Sequence, residues 1–227
     1  MNIIVTGSSK GIGLELVKLL GLKHRVYAIS RDVSIYDQVL KKKPYSENII
    51  PISADVTQIN NLDFDSFIDS SGIDVLINNA GFLINKPFTE LSKEDYRNIM
   101  DVNFYGVVNM IQLAINKLSM AKGQVVNIGS VGGLQGSSKF PGLSIYSSSK
   151  GALSILTECL AVELAEFNIK INCLALGAVQ TEMLNKAFPN YKAEISASEM
   201  ADYIVNFIIS TSKLSNGLVI PVKKSNP

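Results

Sequence analysis

The 227-residue chain has one histidine, two cysteines and almost no surplus of charge. Lys plus Arg is 21 and Asp plus Glu is 20, a formal net charge of +1. No broad basic field is present to hold nucleic acid or an anionic membrane. Cys159 and Cys173 lie in apolar periodic runs. They are expected to be small buried hydrophobes in a reducing, cytoplasmic setting, not a disulfide framework. His24 precedes a strand-like run and is expected at the surface, away from any site. With no Cys/His cluster, no metal centre is expected. Residues 102–116 carry no charge, but the run is short for a membrane span and contains Asn103, Asn109 and Gln112. No basic stretch with an apolar core and cleavage site comes before Asn2, so no secretory leader is expected. Repeats, low-complexity tracts and dividing linkers are missing too. The 47% hydrophobic and 18% charged content suits one domain over 1–227 with a sizeable core.

What is present is an alternation of short β-rich runs with longer helical periods. Strands are expected at 2–6, 25–30, 48–53, 73–77, 124–128, 170–174 and 217–222. Helices are expected at 11–20, at 34–43 up to Pro44, and around 62–69. A long one is expected at 93–118 with Ser92 as N-cap, and others at about 146–167, 181–188 and 197–210. Lys41, Lys42 and Lys43 would close the second helix as solvated charges suited to its dipole. This order predicts an α/β fold: a doubly wound, Rossmann-type domain with a seven-stranded parallel sheet flanked by helices. The strands lack strict alternation, as befits sheets buried on both faces. Three loops, 82–91, 129–143 and 177–196, follow strands four, five and six. They fall on the carboxyl edge, where open α/β sheets bind ligands.

The turn Thr6-Gly7-Ser8-Ser9-Lys10-Gly11-Ile12-Gly13 joins the first strand to the first helix. Its glycines permit a tight turn and close approach of backbone to a ligand. Free amides at the helix start favour an anion such as a pyrophosphate. The spacing is Gly-x3-Gly-x-Gly, and placement between strand and helix favours a dinucleotide over an ordinary tight connection. Arg31 follows the second strand, where a dinucleotide's adenine-side ribose would lie. A guanidinium there suits a 2′-phosphate, and Lys10 could reach the same group. NADP(H) is therefore favoured over NAD(H). Asp32 could instead accept from a ribose hydroxyl, and all three could be solvated loop charges.

Tyr146 and Lys150 stand one helical turn apart in Ser144-Ile145-Tyr146-Ser147-Ser148-Ser149-Lys150. An ammonium held near a phenol lowers its pKa from about 10, which would make a general acid/base. The spacing alone more often describes a packed ring beside a solvated ammonium.

Taken together, these residues resemble the classical short-chain dehydrogenase/reductase family over nearly the whole chain. The markers occur in order: the glycine turn, Asp55-Val56, Asn78-Asn79-Ala80-Gly81, Asn103, Ser130, and Tyr146 with Lys150. The resemblance implies hydride transfer between a nicotinamide and a small-molecule carbonyl or secondary alcohol. It implies Asn103, Ser130, Tyr146 and Lys150 as the catalytic set. Tyr146 would deliver the proton, and Lys150 would tune it and bind the nicotinamide ribose. Ser130 would orient the substrate oxygen, and Asn103 would hold a water leading from Lys150 to solvent. Cofactor contacts would come from Gly7, Ser9, Lys10, Gly11, Ile12, Gly13, Arg31, Asp55, Val56, Asn79, Ala80, Gly81, Tyr146, Lys150, Gly177, Val179 and Thr181.

Two features depart from the family pattern. Leu176 replaces a proline before Gly177, and the chain ends Val222-Lys223-Lys224-Ser225-Asn226-Pro227 in place of an Asp-Gly-Gly turn. The substrate loop at about 178–196 offers Met183, Leu184, Ala187, Phe188 and Tyr191. The loop before Tyr146 offers Leu134, Phe140, Pro141 and Leu143. These fit an apolar or mixed-polarity substrate, or simply pack a lid. Gly132, Gly133, Gly136, Ser137, Ser138 and Gly142 suggest that the second loop is mobile. The 93–118 helix is apolar all round and the 146–167 helix broadly so, which predicts a homodimer or homotetramer through them. Alternatives are a non-catalytic dinucleotide-binding regulator and a sugar-nucleotide epimerase or dehydratase. The full catalytic set argues against the first, and the short C-terminal region against the second.

Overall fold

The computed structural model describes residues 1–41, 47–59, 62–68, 71–211 and 214–224. The strands are β1 (Asn2–Thr6), β2 (Arg25–Ser30), β3 (Ile49–Ser53), β4 (Val75–Asn78), β5 (Gln124–Ser130), β6 (Lys170–Leu176), β7 (Val179–Gln180), β8 (Ile195–Ser196) and β9 (Val219–Val222). Seven of them form one parallel sheet in the order β3-β2-β1-β4-β5-β6-β9. The helices are α1 (Gly11–Gly21), α2 (Tyr36–Val39), α3 (Lys93–Met100), α4 (Gly106–Ala121), α5 (Ser144–Glu163), α6 (Glu182–Ala187) and α7 (Ala197–Asn206).

Successive strand residues feed two separate cores, because their side chains point to opposite faces. Ile3, Val5, Val26 and Ala28 pack with Leu16, Val17 and Leu20 of α1 and Met200, Ala201 and Ile204 of α7. Ile4, Tyr27 and Leu76, which are neighbours in register, face the other way. They meet Met110, Ile111 and Ala114 of α4 and Leu153 of α5. Each such fully buried Ile or Leu contributes about 1.5–3 kcal/mol. Burial on both faces is why these strands read as continuous apolar runs. The chain winds outward from β1 through β2 to β3, then returns to β4 on the opposite side of β1. That reversal opens a crevice beyond the carboxyl ends of β1 and β4.

Several elements differ from the sequence expectation. The long 93–118 helix is broken into α3 and α4 by one wide π-helical turn, Asp101–Tyr105, and α4 continues to Ala121. Ser92 caps α3 as expected, in a capping box with Asp95. The second helix is the single turn Tyr36–Val39. Lys42, Lys43 and Pro44 lie outside the described residues. The expected helix around 62–69 is one 3-10 turn, Phe64–Ser66, where Asp63 accepts from the Asp65 amide (2.9 Å); Asp69 lies outside the described residues. α5 ends at Glu163 and tightens into a 3-10 turn to Phe167. Past Asn206, α7 widens into a π turn, Phe207–Thr211. β5 and β6 run two residues further than expected because Ser130 pairs with Leu176, which pairs with Val222. β9 starts at Val219, since Gly217 turns with φ +73°. Cys173 is buried, but Cys159 is exposed on the outer side of α5, contrary to expectation. No helix among the described residues is long and apolar enough to cross a membrane.

Candidate active site

The crevice is a cleft of about 1040 Å³ lined from the ends of β1, β2, β4, β5 and β6 and from α5 and α6. Its floor at one end is the β1–α1 turn. Gly7 and Gly11 take positive φ, +64° and +55°. A Cβ on Gly7 would stand 2.7 Å from the Ala80 Cα, and one on Gly13 would strike the Gly7 carbonyl oxygen. Hydroxyl and amide bonds then fasten this turn to the end of β4. Thr6 Oγ1 accepts from the amides of Asn79 (3.1 Å) and Ala80 (3.0 Å). Asn79 Nδ2 donates to the carbonyls of Thr6 (2.9 Å) and Gly7 (3.1 Å). No side chain caps α1 at Lys10, and its first turn holds no acid. Its amides are therefore left for an anion, and the turn fits a dinucleotide pyrophosphate.

On the adenine side, Arg31 is exposed on the cleft wall and forms no ion pair among the described residues. Ser53 Oγ donates to the Arg31 carbonyl (3.1 Å), and Ser30 Oγ to that of Asp32 (2.7 Å). The Asp32 carboxylate accepts from the Ser34 amide (2.9 Å), which holds it below the usual carboxylate range. Asp55 accepts from both the amide and hydroxyl of Thr57 (2.9 and 2.8 Å). Lys10 faces Glu182, at the start of α6, across 3.9 Å.

At the other end, Ser130 closes β5 and its Oγ accepts from the Gly132 amide (3.2 Å). Gly133 lets the following loop lie on α5, since a Cβ there would sit 2.6 Å from the Gly151 nitrogen. This brings Ser130 to Tyr146. Burial pushes the Tyr146 phenol above its ordinary value, and its bond with the Ser130 hydroxyl pulls the other way. Lys150 is 4% exposed and donates to the Ile128 carbonyl (2.8 Å). Burial lowers it from 10.5 to about 8. The sequence expectation had Lys150 pulling Tyr146 down. In this chain Lys150 is itself desolvated and tied to a β5 carbonyl, and the opposing influence on Tyr146 comes from Ser130.

Asn103 lies fully buried in the wide turn between α3 and α4. Its Oδ1 accepts from the Phe82 amide (2.8 Å), and its Nδ2 donates to the Phe82 carbonyl (2.9 Å) and Ser149 Oγ (3.0 Å). Ser149 Oγ in turn donates to the Tyr146 carbonyl (2.7 Å). Asn103 thus joins the strand-four loop to the helix that carries Tyr146 and Lys150. Ser149 was missed from sequence, although a serine at a buried position between Tyr146 and Lys150 was the signal to follow. Of the expected residues, Gly7, Ser9, Lys10, Gly11, Ile12, Arg31, Asp55, Val56, Asn79, Ala80, Gly81, Ser130, Tyr146, Lys150, Gly177, Val179 and Thr181 line the cleft. Gly13 lies behind the glycine turn and Asn103 behind the Phe82 loop.

The far wall carries apolar and aromatic side chains: Phe82, Leu83, Val131, Phe140, Leu143, Met183, Leu184, Phe188 and Tyr191. Leu134 and Pro141 line a neighbouring groove instead. The expected mobility of the 129–143 loop is opposed by its own bonds. Ser137 Oγ donates to the Leu134 carbonyl (2.8 Å), and Lys139 Nζ to that same carbonyl (2.6 Å) and to Ser137 Oγ (2.6 Å). Three loops meet at Asn85. Its Nδ2 donates to the Ala187 carbonyl (2.7 Å), its Oδ1 occupies the space a Cβ on Gly142 would need, and the next amide, of Lys86, donates to the Gly142 carbonyl (3.1 Å).

A doubly wound sheet with an anion-binding turn at one end and a hydroxyl–phenol–amine cluster at the other defines a dinucleotide-dependent oxidoreductase. Residues 1–192 match the family model for short chain dehydrogenase, and the chain belongs to that family. It is 36% identical to L-2,3-butanediol dehydrogenase of Corynebacterium glutamicum over 197 residues, 79% of this chain and 72% of that one. It is 33% identical to 5-keto-D-gluconate 5-reductase of Escherichia coli K12 over 189 residues, 80% and 73% of the two chains. The solved structure of ElxO with NADP bound superposes with a TM-score of 0.82 at 28% identity, covering 97% and 96%. The chain is an oxidoreductase of the CH–OH/C=O couple.

Proposed function

We propose that the protein is an NADP(H)-dependent reductase or dehydrogenase of an uncharged, apolar to mixed-polarity carbonyl or secondary alcohol. The observation that carries the reading is that Ser130, Tyr146 and the buried Lys150 line one end of a cleft whose other end is the glycine turn. Bound NADP(H) would supply or accept the hydride. Ser130 and Tyr146 hold the substrate oxygen, and the phenol gives or takes its proton. Lys150, with its proton held less firmly than an ordinary ammonium, can restore the proton to Tyr146 and reach the nicotinamide-side ribose. Asn103 keeps the Phe82 loop and α5 in register. The glycine turn, Asp55, Val56, Asn79, Ala80, Gly81, Gly177, Val179 and Thr181 take the remainder of the dinucleotide.

NADP(H) is favoured over NAD(H) by two observations. Arg31 forms no ion pair among the described residues, and one oxygen of the Asp32 carboxylate already accepts from the Ser34 amide. The relative ElxO is known with NADP bound. The exposed Tyr105 on the α3–α4 side and Ile155 on α5 support a homodimer or homotetramer through these helices. The non-catalytic alternative leaves the Ser130–Tyr146–Lys150 cluster without a purpose. The test is a panel of carbonyls and alcohols read by nicotinamide absorbance with both cofactors. Turnover that Tyr146→Phe leaves intact would refute the assignment.

A further inference from the structure

The segment carrying Arg31 is pinned at both ends by the backbone of one residue, Ser8. The Ser8 amide donates to the carbonyl of Ile29, near the end of β2 (3.2 Å). The Ser8 carbonyl accepts from the hydroxyl of Tyr36, the first residue of α2 (2.7 Å). Ser8 is fully buried and Tyr36 is 1% exposed. Gly7 and Ser9, on either side of Ser8, line the cleft, as do Arg31, Asp32 and Ile35 between the two anchor points. Val33 and Ile35 pack onto the apolar core that contains Tyr36. Ser8 therefore ties the anion-binding turn to both ends of the Arg31 segment, alongside the Ser53 bond to the Arg31 carbonyl, and Tyr36 is its far anchor. Because burial pushes the Tyr36 phenol up to about 12, the hydroxyl remains a donor at any working pH.

We infer that Tyr36 is a positioning residue for cofactor choice: by clasping the Ser8 carbonyl it fixes Arg31 at the spacing that reads a 2′-phosphate against a pyrophosphate. The inference rests on the phosphate role proposed for Arg31. It concerns a residue that touches no cofactor and that forms the strut between the two recognition elements. Because the Ser8 amide stays bonded to Ile29 when the clasp is lost, the turn itself keeps its place on β2 and the effect should fall on the phosphorylated ribose.

The test compares adenosine 2′,5′-bisphosphate with adenosine 5′-monophosphate by calorimetry on wild type, Tyr36→Phe, Arg31→Ala and the double variant. KM and kcat for NADPH and NADH are measured alongside. Tyr36→Phe removes one buried hydrogen bond, so the bisphosphate should bind about fivefold more weakly and the monophosphate about as before. The change should appear in KM for NADPH and not in kcat. The double variant should be no weaker than Arg31→Ala, since the clasp acts through the guanidinium. Equal weakening of both nucleotides, or no weakening of the bisphosphate, would overturn the clasp. If Arg31→Ala also leaves the bisphosphate unaffected, the phosphate reading falls and takes the clasp with it. If only Arg31→Ala has an effect, the clasp alone falls. Should Tyr36→Phe not fold, Tyr36→Met decides: it fills the same apolar site without a hydroxyl and should weaken the bisphosphate and not the monophosphate; unchanged affinity for the bisphosphate overturns the inference.

Discussion

At the end of the cleft that holds the glycine turn, backbone and short polar side chains are fastened to one another: Thr6 on Asn79 and Ala80, Asn79 on Gly7, Asp32 on Ser34. At the substrate end the walls are side chains of Phe82, Phe140, Met183, Phe188 and Tyr191, contributed by three different loops. The first end is specified by steric necessity, because a Cβ at Gly13 or Gly7 has no room. The second is specified by shape alone, and apolar surfaces of similar volume can replace one another there. On the proposed function, recognition of the cofactor would be rigid and recognition of the substrate adjustable, with Ser130, Tyr146 and the buried Lys150 between them.

Four substitutions would break or sharpen this contrast. The largest effect belongs to the junction. Tyr146→Phe should lower turnover about a thousandfold, while cofactor binding followed by fluorescence stays as in wild type. Retained turnover would move the proton donor elsewhere. At the rigid end, Gly13→Val should cost about 3 kcal/mol of stability in thermal or denaturant unfolding and weaken both cofactors, because the new side chain meets the Gly7 carbonyl. A variant that binds as well as wild type would show the turn to be more yielding than its packing implies. Arg31→Ala should weaken NADPH about thirtyfold and leave NADH nearly unaffected, as expected for loss of charge-assisted bonds. Equal losses would refute the phosphate role.

A fourth prediction is a pH dependence. Lys150 titrates near 8 in the folded chain and at 10.5 when unperturbed. Between about pH 8 and 10.5 the unfolded chain holds a proton that the folded chain has released, so folding gains stability as pH rises through that window. Below it both states are protonated and the folded chain bears the cost of a buried ammonium. Lys150→Met lacks this term. Melting curves for wild type and variant should therefore diverge in favour of wild type as pH rises from 8 to 10.5, and parallel curves would contradict the burial of the ammonium.

What could be read from sequence follows the same division. The strands were legible because burial on both faces leaves runs such as Ile3-Ile4-Val5 with no polar interruption. The glycine turn was legible because steric exclusion restricts the residue type. The wide turn at Asp101–Tyr105 was not legible, since the apolar spacing continues across it and only the backbone pairing changes. The short helix expected around 62–69 shrank because Asp63 and Ser66 bond locally and satisfy one turn without a longer ladder. The pairing of Val179–Gln180 with Ile195–Ser196 escaped notice because two-residue strands carry no periodicity. At the site, the residue types Ser130, Tyr146 and Lys150 were visible, but the direction of the Tyr146 shift was not. It depends on desolvation and on where the Lys150 nitrogen finds its carbonyl, and helical spacing determines neither.

The meeting of three loops at Asn85 has a mechanical consequence. Whichever loop lifts must part from Asn85 or from the adjoining Lys86–Gly142 bond, so a change at Asn85 is felt by all three.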